Sequence, residues 1–476
     1  MRARTVQVDA LVIGGGVVGC AVLRELSRFQ ATVALLERQP DICDVTSKAN
    51  SAIVHTGFDA PSGSVEAGLL ARARDLWPGV IEELRIPYLQ TGAVMVAAGR
   101  QEMEAIRQEI VPKAERNGVT LSELTADEIM ENLPAVTPEV VGGVLVEGEG
   151  VIDPFWTTRA YAENAVRNGA QVYLEHGVTG ISVHADGVTV ETAPGTIFQA
   201  RIVVNAAGLW SDEVARLAGD NSFRITPRKG QFIITEDDLG IGQIVLPVPS
   251  KISKGILVTP IVFGGTMLGP TAEEVTDKTD LSTTAEGLRR IRQGVAKLVP
   301  DAAGASTIRQ FAGLRAVSST GDYIVGPSPT GRRLITVAGI RSTGLSVSPA
   351  LGRHVAELVR DELNLAARGD FDPTLPELLA EAREDEGDVI CLCRAITRGE
   401  ILEALRSPLP PATLDGLKRR TGAMLGDCQG NICMPRLIEL LRRELGRDPL
   451  TLPKNVRGSS PVVSPVRAPA SSGRER

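Results

Sequence analysis

Several things are missing from this 476-residue chain, and each absence excludes something. No apolar run approaches the ~20 residues that a membrane-spanning helix needs, so no transmembrane segment is expected. There is no basic excess: 51 Lys and Arg stand against 58 Asp and Glu, a net charge of −7. Without a basic stripe either, nucleic acid is not an expected partner. The opening Met1-Arg-Ala-Arg resembles the basic head of an export signal, but a short strand and three glycines follow where an apolar core and cleavage site would stand. A cytoplasmic protein is therefore expected, with docking at the inner face of the membrane left open. Histidine is scarce, with four residues. What remains is a composition of 43% hydrophobic and 23% charged residues, that of a soluble globular protein well above one typical domain in length.

The chain is organised around its start. Residues 8–13 form a short apolar run, as expected of a buried parallel strand. Gly14, Gly16 and Gly19 follow at G-x-G-x-x-G spacing, and helical periodicity continues to about residue 28. A second apolar run, 32–36, ends in Glu37, 18 residues after Gly19. The first glycine permits the tight turn, the second lets the backbone approach a pyrophosphate, and the third lets helix and strand pack closely. Free N–H groups at the helix start attract phosphate, and an acid at the end of the second strand accepts from ribose hydroxyls. This predicts an α/β, Rossmann-like dinucleotide-binding fold. The stretch alone does not separate FAD from NAD. No second unit of this kind occurs, so no dedicated nicotinamide site is expected.

Asp44-Val-Thr-Ser-Lys-Ala-Asn-Ser-Ala-Ile-Val-His-Thr-Gly-Phe-Asp59 resembles the loop after the second strand in flavoproteins of the D-amino-acid-oxidase-like superfamily. Glycerol-3-phosphate dehydrogenases and L-2-hydroxyglutarate oxidases or dehydrogenases match it best. The resemblance implies that this loop passes close to the flavin, with Ser47 at the cofactor and His55 at the substrate as a catalytic residue. Read without it, His55 is a buried structural histidine. In such proteins the strand ending in Ala206-Ala207-Gly208 covers the adenosine side of FAD, which favours FAD over NAD. Gly339, Ser342, Thr343, Gly344 and Leu345 then open a helix whose N-terminus points at the flavin pyrimidine ring. Phe311-Ala-Gly-Leu-Arg-Ala-Val317 resembles the G-x-R strand of glycerol-3-phosphate dehydrogenases, which makes Arg315 the expected anchor for a substrate phosphate or carboxylate. Lys229, Lys254 and Arg341 are further candidates for the anionic end. Phe263 stands where close relatives often carry His, a departure that bears on substrate identity.

The expected layout has FAD-binding segments at about 1–85, 147–220 and 310–365. An antiparallel-sheet α+β substrate domain takes about 86–146 and 221–309. A linker covers 366–386, a separate module 387–447 and an unordered Pro/Ser/Arg-rich tail 448–476. The module holds four of the six cysteines. One residue separates Cys391 from Cys393, four separate Cys428 from Cys433, and 34 lie between the pairs. In a chain without an export signal such pairs suggest metal before disulfides. The module resembles the [2Fe-2S] domain of the bacterioferritin-associated ferredoxin type, small and helical, in which all four thiolates bind the cluster. A four-cysteine zinc site has the same ligand count, but the one-residue gap favours iron–sulfur.

The resemblance implies an FAD-dependent dehydrogenase that oxidises a small anionic secondary alcohol to a ketone, with glycerol 3-phosphate or a similar polyol phosphate first. A 2-hydroxy acid comes second and an amine or imino acid third. Electrons would leave through the cluster to a quinone or an electron-carrier protein. Relatives work in multi-subunit dehydrogenases, so further subunits are candidate partners, and a non-catalytic electron-transfer component is the rival reading.

Overall fold

A computed structural model describes residues 4–236, 239–249, 255–376 and 387–464. The chain divides into two compact units, one of residues 1–38 with 42–377 and the other of 39–41 with 378–476. Among the described residues, no helix is long and apolar enough to cross a membrane.

The first unit is built on two sheets. In the first, Thr5–Ile13 lies between Ile197–Asn205 and Val33–Leu36, all parallel, with Gln171–Tyr173 beyond Val33–Leu36 and Gly331–Ala338 parallel to the end of Ile197–Asn205. Val33–Leu36 is buried throughout, as a central parallel strand should be. Register decides where the site falls. Ile13 is opposite both Leu36 and Asn205, so the strands end level and Gly14, Glu37 and Ala206 emerge side by side. Backbone bonds fix this edge, Gly14 N–H to the Leu36 carbonyl at 2.8 Å and Ala206 N–H to that of Ile13 at 2.9 Å. Ligands in open α/β sheets bind at this carboxyl edge. The helix Val17–Leu26 covers the sheet and packs on Pro154–Arg167 and Gly344–Leu363. The helix Val65–Leu84 runs unbroken through Pro78 and is capped by the Ser64 hydroxyl.

The second sheet has nine strands, antiparallel apart from the pair Ala93–Ala97 with Ile244–Pro247. It joins strands from the two stretches expected to share one domain, 86–146 and 221–309, and takes in one strand more. Thr307–Ser318 belongs to it rather than to the nucleotide-binding part, because it pairs with Ile225–Thr235 along its length, from Ile225 opposite Ser318 to Thr235 opposite Thr307. A small third sheet joins distant pieces: Ile53–Val54 and Tyr88–Leu89 flank Gly150–Ile152.

Two expected boundaries also move. The linker does not begin at 366. Asn164 Nδ2 donates to the Asp372 and Thr374 carbonyls, Arg24 to that of Pro373, and Leu375 is buried. The expected linker residues 377–386 lie outside the described residues. In the second unit, Leu452 is buried and the Leu414 and Asp415 N–H groups donate to the Pro453 and Lys454 carbonyls, so the chain stays packed past 448. The apolar face of Cys433–Leu445 supplies the reason: Leu437 and Leu441 form one core with Ile401, Leu417 and Leu452. Helix Arg398–Arg406 starts with a capping box, in which Thr397 N–H donates to Glu400 and Glu400 N–H to the Thr397 hydroxyl.

Candidate functional site

A cavity of about 470 Å³ opens at the level strand ends of the first sheet. Gly14, Gly16, Glu37, Ser47, Ala206 and Gly208 all line it. Gly14 has φ +114°, and a Cβ there would stand 2.4 Å from the Ala206 carbonyl oxygen. A Cβ on Gly19 would lie 1.9 Å from the Gly14 carbonyl oxygen, so Gly19 acts by letting the helix sit on the turn rather than by lining the cavity. Glu37 accepts from Gly15 N–H at 2.7 Å, and the Ser47 hydroxyl accepts from Val17 N–H at 2.9 Å, which brings the 44–59 loop onto the helix start. Arg38 stacks on the Trp210 ring at 3.4 Å, and both line the cavity. Neither was singled out from sequence, since only the fold brings residue 38 to residue 210. The cradle fits a dinucleotide. Gly19→Ala should therefore give protein that elutes without bound flavin, checked by its visible absorbance, because the added methyl pushes the helix off the turn.

The other expected cofactor residues sit away from this cavity. Thr343 is buried and donates to Glu66 at 2.8 Å, Leu345 is buried, Ser342 is exposed, and Gly339 turns the chain at φ +70°. Glu66 also accepts from Arg341 at 2.9 Å, so the arginine is tethered yet keeps 29% of its side chain exposed. Glu66 itself was not visible in the sequence as a site residue.

His55 follows the strand Ile53–Val54. Its backbone N–H donates to the Ser346 hydroxyl at 2.9 Å, which places it at the first turn of the helix Gly344–Leu363. Its Nδ1 is 3.0 Å from Oε2 of the buried Glu149. Glu149 is a second residue that sequence reading missed.

Arg315 lies on Thr307–Ser318 next to the cofactor loop. The Thr46 hydroxyl donates to the Leu314 carbonyl at 2.8 Å, and a Cβ on Gly313 would meet the Ala49 carbonyl oxygen at 1.9 Å. Its one side-chain bond among the described residues reaches the Thr271 carbonyl at 3.4 Å, and no carboxylate pairs with it there. Burial and then the nearby Arg228 charge bring its pKa down to about 10. It stays charged at neutral pH with no counter-charge among the described residues, which suits an anion site. Lys229 does not join it. It pairs across the sheet with Leu314, while Arg228 pairs with Arg315, and side chains alternate between faces. The Lys229 ammonium is instead held by Asp280 and Ser282. Lys254 lies outside the described residues.

In the second unit Cys391 and Cys433 are buried, Cys428 is half-buried and Cys393 exposed. The thiols meet in two pairs, Cys391 with Cys433 and Cys393 with Cys428. Burial, then the neighbouring Cys391, pushes Cys433 up to about 12. Cys428 is lowered by N–H groups of Ile432, Gly430 and Cys433, a set of donors turned toward sulfur. Among the described residues no three donors converge as a single metal ion would need. Two pairs of thiols fit the four-cysteine demand of a two-iron cluster.

Comparison with known proteins agrees with this geometry. Residues 9–358 match the family described as FAD dependent oxidoreductase, and residues 389–443 match the BFD-like [2Fe-2S] binding domain. A glycerol 3-phosphate dehydrogenase of Caloramator mitchellensis is 35% identical over 478 residues, covering 97% of this chain and 99% of the relative. One component of the anaerobic glycerol-3-phosphate dehydrogenase of Escherichia coli is 25% identical, covering 91% of this chain and 88% of that relative. The solved structure of dithionite-reduced L-alpha-glycerophosphate oxidase from Mycoplasma pneumoniae with FAD bound superposes with a TM-score of 0.75 at 28% identity, covering 78% of this chain and 100% of that one. The chain thus carries FAD and a [2Fe-2S] binding domain, and it belongs to the FAD-dependent oxidoreductase (DAO) family.

Proposed function

We propose that this chain oxidises glycerol 3-phosphate, or a related polyol phosphate, to the ketone and hands the electrons through its [2Fe-2S] centre to a quinone or an electron-carrier protein. The observation that carries this reading is Arg315, a half-buried arginine with no carboxylate partner among the described residues, on a strand pressed against the cofactor loop. A phosphate or carboxylate gives such a fork two parallel charged hydrogen bonds. The names of the similar proteins support a polyol phosphate over other anions. Bound FAD supplies the hydride acceptor. The chain's own residues do the rest: Arg315 holds the anion, Arg341 lends a second charge from the loop that Glu66 tethers, and His55 takes the hydroxyl proton. A one-electron centre after the flavin is superfluous for an oxidase that uses oxygen directly, which favours an acceptor other than oxygen. The likeness to one component of a larger dehydrogenase supports further subunits as partners, with docking at the inner membrane face as one arrangement.

A 2-hydroxy acid is the second reading, because the same fork binds a carboxylate. Anaerobic bleaching of the flavin against glycerol 3-phosphate, L-2-hydroxyglutarate and amino acids tests both. Bleaching at the lowest concentration by glycerol 3-phosphate is expected. Bleaching by amino acids alone would defeat the proposal, and fully loaded protein that no compound bleaches would point to a purely electron-transferring role.

A further inference from the structure

We propose that Glu149 is the positioning residue for His55: its carboxylate holds the ring proton on Nδ1 and so presents Nε2 to the substrate hydroxyl. The inference rests on the proposed role of His55 as the proton acceptor. It begins with register. Val54 is opposite Gly150 in the small antiparallel sheet, so the residues just beyond, His55 and Glu149, face each other although 94 positions separate them in sequence. The sheet is tight at this point, since a Cβ on Gly150 would lie 2.4 Å from the Tyr88 hydroxyl and one on Gly148 2.9 Å from the Thr56 side chain. That closeness drives the intervening Glu149 inward.

The two carboxylate oxygens are treated differently. Oε1 accepts from both the backbone N–H and the hydroxyl of Thr56, at 2.8 and 2.7 Å. Oε2 faces His55 Nδ1 at 3.0 Å. The two atoms are in ion-pair contact but not yet aligned as a hydrogen bond. Catalytic hydrogen bonds are often poorly aligned before substrate arrives and tighten afterwards. A carboxylate side chain only 1% exposed is costly unless each oxygen is served, and here the imidazole faces the second one. The root of the ring is fixed too, by the bond from His55 N–H to Ser346, whose hydroxyl in turn donates to the Ile53 carbonyl. Other ionisable groups nearby are Tyr88, raised first by burial and then by the Glu149 charge, and Arg74, which donates to the Thr56 carbonyl.

The chemistry follows from this arrangement. Bound FAD would supply the acceptor for the hydride of the carbinol carbon; His55 Nε2 would take the proton as the O–H bond breaks and the C=O bond forms. His55 becomes an imidazolium with a carboxylate behind it. An acidic partner on the far nitrogen fixes the tautomer and stabilises that cation without itself taking the proton.

The test uses FAD-loaded full-length protein and the variants Glu149→Gln, Glu149→Asp, His55→Asn and the double change. In Glu149→Gln, kcat should fall about 10²-fold with little change in KM. The acidic limb of kcat/KM should move to lower pH, because the lost negative charge had favoured the imidazolium. Adding Glu149→Gln to His55→Asn should cost nothing more, as expected when one residue acts through the other. With four histidines in the chain, 15N spectra of histidine-labelled protein read the tautomer without turnover. Wild type should show His55 protonated on Nδ1, and Glu149→Gln should lose that preference. If Glu149→Gln does not retain flavin, Glu149→Asp decides, since it keeps the charge but draws the carboxylate back, and it should move the limb the same way. A limb and tautomer unchanged in the Glu149 variants, with His55→Asn impaired, overturns the proposal. Full activity in His55→Asn would instead remove the proton-acceptor role of His55 itself.

Discussion

Arg315→Met should lower kcat/KM for an anionic substrate by about 10²–10³-fold, roughly 3–4 kcal/mol, while leaving the melting temperature unchanged or higher. The two halves of this expectation have one cause. Arg315 is a half-buried charge, partly shielded from water, with a carbonyl at 3.4 Å and no carboxylate beside it among the described residues. Replacing it with an apolar chain of similar length relieves desolvation and repulsion from Arg228 at little packing cost. Lys229, one residue from Arg228 on the neighbouring strand, should do the opposite. Its ammonium is buried against Asp280 and Ser282, so Lys229→Met should cost about 1–3 kcal/mol of stability and leave KM nearly unchanged. Thermal melts and steady-state kinetics on the two variants separate an arginine kept for its ligand from a lysine kept for the fold. Loss of stability in Arg315→Met with an unaltered KM would remove Arg315 from the site.

Cys428→Ser should separate the two halves of the reaction. Substrate should still bleach the flavin anaerobically, since the described residues that line the strand-end cavity all belong to the first unit. Turnover with a quinone or carrier protein should fall to near background, together with the electron paramagnetic resonance signal of the reduced cluster. Cys428 is the right member to change: it is half-buried, whereas Cys433 lies in the same core as Leu437 and Leu441 and its loss would disturb packing as well. Full turnover with external acceptor in cluster-free protein would show that electrons bypass the cysteine module.

What could be read from the sequence alone was whatever depends on near neighbours. Gly14, Gly16, Gly19 and Glu37 sit within one βαβ unit, so their spacing can be read without knowing the rest of the fold. The cysteine pairs and the Thr397–Glu400 cap are legible for the same reason. Residues whose meaning depends on register were not. A shift of one position turns a strand residue to the other face, so Lys229 looked as apt as any nearby cation until its pairing with Leu314 was known. Glu149 is one acid among 58 Asp and Glu until a two-residue strand sets it against His55. Arg315 was singled out by its motif, yet its strand was placed with the nucleotide-binding segments, because only the long ladder with Ile225–Thr235 shows which sheet holds it.

Burial across the four cysteines is uneven: Cys391 and Cys433 are sealed in, and Cys393 is open to solvent. Oxygen, chelators and small oxidants therefore meet one corner of the metal centre before the rest. Iron should be stripped from that corner first, and purification in air should yield partly demetallated material whose flavin is intact.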